Sequence, residues 1–174
     1  MIKKIVFLDR DGVINRLVER NGEMVSPRTF MDFEILPGVS EAIGRLKKHG
    51  FQIVVVTNQP DISRGLMKVE ELRLMHQLVQ ALGVEEIRVC PHSDHDNCEC
   101  RKPKPGLLTR YIEESSSHGS VLWMVGDQPR DWQAGEAVGA KVVRIIGKKY
   151  QDQFKDGYCS DNLLDAVKKL VVFS

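Results

Sequence analysis

Asp9 and Asp11 stand two residues apart at the end of a short apolar run, Ile5-Val6-Phe7-Leu8, with Gly12 directly after them. Such a run, partly β-branched and bounded by Lys3-Lys4 and by turn residues, reads as a buried strand. Alternate residues of an extended segment point the same way, so the two carboxylates face one site. Carboxylates this close repel unless a cation or a shared proton relieves them. A hard cation with oxygen ligands, such as magnesium, suits them; the competing reading is a solvated acidic turn. Two further apolar runs end in comparable groups. Residues 51–56 lead into Thr57-Asn58-Gln59, and 121–125 lead into Gly126-Asp127. Backbone amides after Thr57, that of Asn58 first, could cradle an anion as turn nests do, whereas Pro60 has no amide hydrogen. Thr57 would otherwise be an ordinary strand-end threonine. Asp131 could support the site acids from behind, but it reads first as an acid of a first helical turn, where acids are favoured anyway.

A different chemistry sits in Cys90-Pro91-His92-Ser93-Asp94-His95-Asp96-Asn97-Cys98-Glu99-Cys100. Three thiols and an imidazole in so short a span point to zinc, which takes Cys and His tetrahedrally. Cys90, His92, Cys98 and Cys100 form the expected closed, structural set, with His95 as a competing ligand. The alternatives are a disulfide or free thiols in a loop. Arg101-Lys102-Pro103-Lys104 follows at once and reads as a phosphate-binding face fixed by the metal loop, against the alternative of a solvated basic turn.

These groups need strands to deliver them and helices to cover the strands. Segment 16–31 is polar, and Asn21-Gly22 predicts a small hairpin over the pocket, with Met24-Val25 on its return strand. Val39, Ala42, Ile43 and Leu46 recur with helical spacing, and Lys47, Lys48 and His49 precede a stop at Gly50. Residues 68–82 form a second helix, with Leu72, Met75, Leu78, Val79 and Leu82 inward and His76 on its surface. A strand over 87–89, a helix carrying Leu107, Leu108, Tyr111 and Ile112, and the 121–125 strand come next. A short helix then packs Ala134, Ala137 and Val138 inward. A strand over 140–146 ends at Gly147-Lys148-Lys149, and a polar loop runs to Asp161. The last helix carries Leu163, Leu164, Val167 and Leu170; Cys159 stands apart from the other thiols. Strands alternating with helices predict an α/β fold with a doubly wound, mostly parallel sheet. No segment is large enough to be a separate cap domain.

The chain of 174 residues suits one domain, 1–174, with its own core. Its 42% hydrophobic and 28% charged content is ordinary for a soluble protein. A formal net charge of +1 argues against a general nucleic-acid or anionic-membrane binder. Asp9 interrupts the first apolar run, so neither a signal peptide nor a membrane span is expected, and the location expected is the cytoplasm.

Asp-Arg-Asp-Gly-Val-Ile-Asn at 9–15, Thr57, and Gly126-Asp127 resemble motifs one, two and four of the haloacid dehalogenase-like phosphohydrolases. The resemblance implies a magnesium-dependent phosphatase of Rossmann-like fold. Asp9 would be the nucleophile and Asp11 the general acid/base. Asp9, Asp127 and the Asp11 backbone carbonyl would hold magnesium, and Thr57 and Lys102 would bind phosphoryl oxygens. Arg101 would contact the distal part of the substrate. The zinc loop followed by Arg101-Lys102 is similar to a smaller group, the phosphatases of heptose bisphosphate and of histidinol phosphate. Ile62-Ser63-Arg64-Gly65 favours the heptose side, while Pro60-Asp61 and Gln128 depart from the usual Ser-Gly and Lys. The implied partner is a small sugar phosphate, turned over by a monomer in lipopolysaccharide precursor synthesis. Histidinol phosphate, or a catalytically silent phosphate sensor, is the alternative.

Overall fold

The computed structural model describes residues 2–146 and 158–172. Six strands form one sheet in the order β5-β4-β1-β6-β7-β8. They are β1 (Lys4–Leu8), β4 (Phe51–Asn58), β5 (Glu86–Cys90), β6 (Val121–Gly126), β7 (Lys141–Ile145) and β8 (Cys159–Ser160). Every neighbouring pair is parallel. β1 lies between β4 and β6, and from Ile5 to Leu8 it is buried on both faces. This explains its unbroken apolar composition, since a strand buried on both sides has no polar face to show. Ile5 and Phe7 point into one core layer, and Val6 and Leu8 into the other.

Helices α1 (Val39–Lys48), α2 (Val69–Ala81) and α5 (Leu163–Val172) feed the layer of Val6 and Leu8; α3 (Gly106–Glu114) and α4 (Pro129–Ala137) feed that of Ile5 and Phe7. The hairpin expected over 16–31 is present, as β2 (Val18–Arg20) and β3 (Glu23–Val25). Its turn residues Asn21 and Gly22 both have positive φ, 54° and 81°, as a tight two-residue hairpin turn demands.

Several expectations need correction. Leu78 is 37% exposed rather than inward, and Ala137 also faces out. At α4 it is Gly135 that lies buried, close against Met124. β4 runs two residues past the apolar run, because Thr57 and Asn58 still pair with Val89 and Cys90. Cys159 is not in a loop but begins edge strand β8. Gly147-Lys148-Lys149 and most of the loop expected up to Asp161 lie outside the described residues. No helix among the described residues is long and apolar enough to cross a membrane.

Candidate active site

The carboxyl ends of β1, β4 and β6 meet at a pocket of about 530 Å³, with Asp9, Asp11, Asn58, Gln59 and Asp127 among its walls. This is where an open α/β sheet places its ligands. Asp9 is buried. Its backbone amide donates to Val125 (2.9 Å), and its Oδ1 accepts from Lys102 Nζ (2.6 Å). Lys102 is also buried. It donates to the Val56 carbonyl (2.7 Å) and pairs with Asp131 (2.7 Å). Asp9, Asp127 and Asp131 each bring a carboxylate oxygen within 4.8 Å of the others.

Asp131 therefore does more than start a helix. One oxygen caps the amide of Gln128 (3.0 Å), as the helix reading expected; the other reaches Lys102. Two glycines permit the approach of these acids. A Cβ on Gly12, whose φ is +85°, would lie 2.4 Å from Asp127 Oδ2, and one on Gly126 would lie 2.2 Å from Asp131 Cβ.

Three carboxylates around one ammonium leave an excess of negative charge. Burial first, then repulsion from Asp131, pushes the Asp9 carboxyl up to about 7, with Lys102 offsetting part of the rise. Burial pushes Asp127 up to about 6. Lys102 stays cationic: burial lowers its pKa, but Asp131 and Asp9 outweigh that and raise it. Asp127 Oδ1 is buried and accepts no hydrogen bond. A buried oxygen without a donor, beside two more carboxylates, is a donor set suited to a hard divalent cation.

A pH dependence follows. Carboxyls whose folded pKa is raised bind protons more tightly in the folded state. The stability they lend is full below about 4, their ordinary range, and fades as pH climbs through about 6 and 7. In chelator, the melting temperature is expected to fall by several degrees from pH 5 to pH 8. A flat or rising profile would contradict this.

Asp11 lives in a different environment. Arg10 chelates its carboxylate, with Nη2 at 2.9 and 3.1 Å and Nε at 3.2 Å. Asn15 Nδ2 (2.9 Å), Ser26 Oγ (3.0 Å) and Gln59 Nε2 (2.7 Å) add three more donors. Burial raises the Asp11 pKa, but the Arg10 charge and these hydrogen bonds outweigh it and hold the carboxyl below its usual range. Two acids two residues apart are thus driven in opposite directions.

The remaining candidates sit around this pair. Thr57 is buried and accepts from Gln59 Nε2 (2.8 Å). Asn58 exchanges two hydrogen bonds with the backbone of Lys102, at 3.0 and 3.1 Å, and so holds that residue in register. Arg101 lines the pocket mouth and bonds Asp94 (2.7 Å) and the His92 carbonyl (3.2 Å). Arg28, Arg64 and Arg130 line the same pocket. Gln59, Asn15, Ser26 and Arg10 escaped the sequence reading as site residues. Only Arg10, between two acids, carried a local signal.

Cys90, His92, Cys98 and Cys100 converge as expected, and His95 is not among them. The three thiols, and the His92 ring with Cys90 and Cys100, lie 3.1 to 3.6 Å apart. These separations exceed a disulfide bond of about 2.05 Å. They approach the edges, roughly 3.5–3.8 Å, of a tetrahedron built on zinc bond lengths. The cluster is a fitting four-ligand site for a metal ion.

Comparison with known proteins supplies the relatives. A family model described as haloacid dehalogenase-like hydrolase matches residues 3–139. A D-glycero-β-D-manno-heptose-1,7-bisphosphate 7-phosphatase of Neisseria meningitidis serogroup A is 39% identical over 159 residues, covering 86% of this chain and 82% of that protein. A histidine biosynthesis bifunctional protein of Legionella pneumophila is 33% identical over 150 residues, covering 83% of this chain and 42% of that protein. The structure of D,D-heptose 1,7-bisphosphate phosphatase from B. bronchiseptica, complexed with magnesium and phosphate, superposes with a TM-score of 0.84. It is 29% identical and covers 98% of this chain and 99% of that one.

Proposed function

The chain belongs to the haloacid dehalogenase-like hydrolases, and from that premise we propose that it removes the 7-phosphate of D-glycero-D-manno-heptose 1,7-bisphosphate. This places it in the synthesis of lipopolysaccharide core heptose precursors, as a cytoplasmic, single-domain monomer. The observation that carries the reading is the opposed environment of Asp9 and Asp11 on one pocket floor, in a chain whose relatives are named for this reaction.

Asp9 is the nucleophile. It attacks phosphorus in line, and an aspartyl-phosphate splits one difficult hydrolysis into two easier steps. Lys102 holds the attacking carboxylate through Oδ1, and with Thr57 it meets charge developing on the phosphoryl oxygens. Asp11 is the acid/base. A phosphate dianion beside it raises its proton affinity, so it carries a proton to the leaving sugar oxygen. Once the sugar leaves, its ionised form is the one its five neighbouring donor atoms favour. That form takes a proton from the water attacking the aspartyl-phosphate. Asp9, Asp127 and the Asp11 carbonyl, with Asp131 beside them, would hold magnesium, which neutralises phosphate charge as the nucleophile approaches. Arg101 and Asn58 complete the phosphate-facing wall.

Zinc would occupy the Cys90-His92-Cys98-Cys100 site and fix the loop that carries Arg101 and Lys102. Such a loop has little apolar core of its own and takes its order from the metal. Purified protein should contain about one zinc per chain. Stripping it should cut phosphate release at least about tenfold, with recovery on adding zinc back. Full activity of zinc-free protein would remove this role.

The substrate is tested by phosphate release, with magnesium, from both anomers of heptose 1,7-bisphosphate, from histidinol phosphate and from fructose 1,6-bisphosphate. A preference for the heptose of tenfold or more is expected. The Legionella relative favours histidinol phosphate as the second reading, and a preference for it would reassign the substrate but keep the mechanism. No release from any of them would favour a silent phosphate sensor.

A further inference from the structure

His76 is expected on the surface of α2, yet its ring reaches the guanidinium inside the catalytic motif. Arg10 is fully buried. A guanidinium has five N–H donors and no acceptor, and buried donors left without partners are costly. The Nε and Nη2 edge is occupied by Asp11. The Nη1 edge meets His76 Nε2 at 3.2 Å and, more weakly, Met75 Sδ at 3.9 Å. The Phe33 ring lies 5.4 Å from Arg10 Cζ, a cation–π distance. His76 Nε2 must therefore be the unprotonated nitrogen, accepting from Nη1. Burial, followed by the adjacent Arg10 charge, pushes the imidazole down to about 4, so it is neutral at working pH.

We infer that His76 is a positioning residue for the phosphatase reaction: from α2, outside the pocket, it holds Arg10 so that Arg10 holds the Asp11 carboxylate in line for proton transfer. This rests on the reading of Asp11 as acid/base. Three anchors fix the guanidinium from behind, and only His76 offers a nitrogen acceptor. Without it, one edge of a buried cation faces sulfur alone, and the plane that chelates Asp11 is free to tilt. Small misplacements of an acid/base lower turnover more than binding, so the effect falls on kcat rather than KM.

The test compares His76→Leu with His76→Gln, whose carbonyl oxygen can still accept from Nη1. Turnover is measured on the phosphate monoester the wild-type protein hydrolyses fastest, and folding is checked by circular dichroism. His76→Leu is expected to lower kcat at least about tenfold with KM changed less than about twofold, and His76→Gln to recover most of the loss. Wild-type kcat in the Leu variant, or a Gln variant no better than Leu, overturns the inference. A crystal structure of His76→Leu judges it without any substrate. A broken Arg10–Asp11 chelate supports it, and an intact one overturns it. If the wild type hydrolyses no ester, the functional reading falls, while the crystallographic arm still decides the role of His76.

Discussion

Asp9→Asn is expected to reduce phosphate release by a factor on the order of 10⁴ or more, as loss of a covalent nucleophile does in enzymes of this kind. The side chains are close to isosteric, so the fold survives. Lys102 keeps Asp131 and the Val56 carbonyl as partners. One negative charge also leaves a group of three carboxylates, two of them buried. The melting temperature should accordingly stay within a few degrees of wild type, or rise in chelator at pH 8, where the repulsion removed is greatest. Turnover within a hundredfold of wild type, in protein purified away from host phosphatases, would sink the nucleophile assignment. An unfolded Asp9→Asn protein would instead show that Asp9 is needed for structure.

Lys102→Met is expected to have the largest effect on stability. Methionine matches the length of the stem but leaves Asp9 and Asp131 facing each other in the interior. Removing one partner from a buried ion pair costs about 3–5 kcal/mol, which lowers the melting point of a domain this size by on the order of 10 °C. Turnover falls too, because Asp9 loses the group that aims it. The destabilisation should be larger at pH 8 than at pH 5. At low pH Asp9 can take up a proton and relieve the repulsion, since its surroundings already favour its neutral form. Thermal melts at the two pH values, with phosphate release alongside, decide this. A variant that melts near wild type at pH 8 would mean that Lys102 is not the counter-ion that holds this floor together.

What could be seen in the sequence followed chemistry that is local along the chain. Asp9, Asp11, Thr57 and Asp127 each end an apolar run, and the sheet brings those ends together because parallel strands share a carboxyl edge. The metal cluster is written in eleven consecutive residues, and its four members converge as expected. Asp131 is half legible. Its position in a first helical turn explains one carboxylate oxygen completely and says nothing of the other. Gln59 and Ser26 reach Asp11 from segments whose own patterns mark only a strand end and a loop. His76 follows Met75 on an amphipathic helix, where periodicity assigns it to the surface; only the tertiary packing of α2 beside the first motif reveals its partner. Ala137 and Leu78 face out for a related reason. A helical stripe is wider than the strip its neighbours actually cover.

The placement of β1 has a consequence for how the chain reaches this state. Lys4 pairs with Phe51 on one side and with Val121 on the other. β1 thus precedes both partners along the chain, and its second edge is covered only once β6, well beyond β4 in sequence, is in place. Contacts so distant along the chain carry a large loop-closure entropy before they return any stabilisation, and sheets built from them fold slowly. Until β6 arrives, an apolar strand that runs into Asp9 has one hydrogen-bonding edge open, the kind of template on which nascent chains associate. The acids at its tip end the apolar stretch directly after Leu8, and charge at such a boundary is a known brake on aggregation. Asp9 and Asp11 would then guard the nascent chain before they ever meet a phosphate.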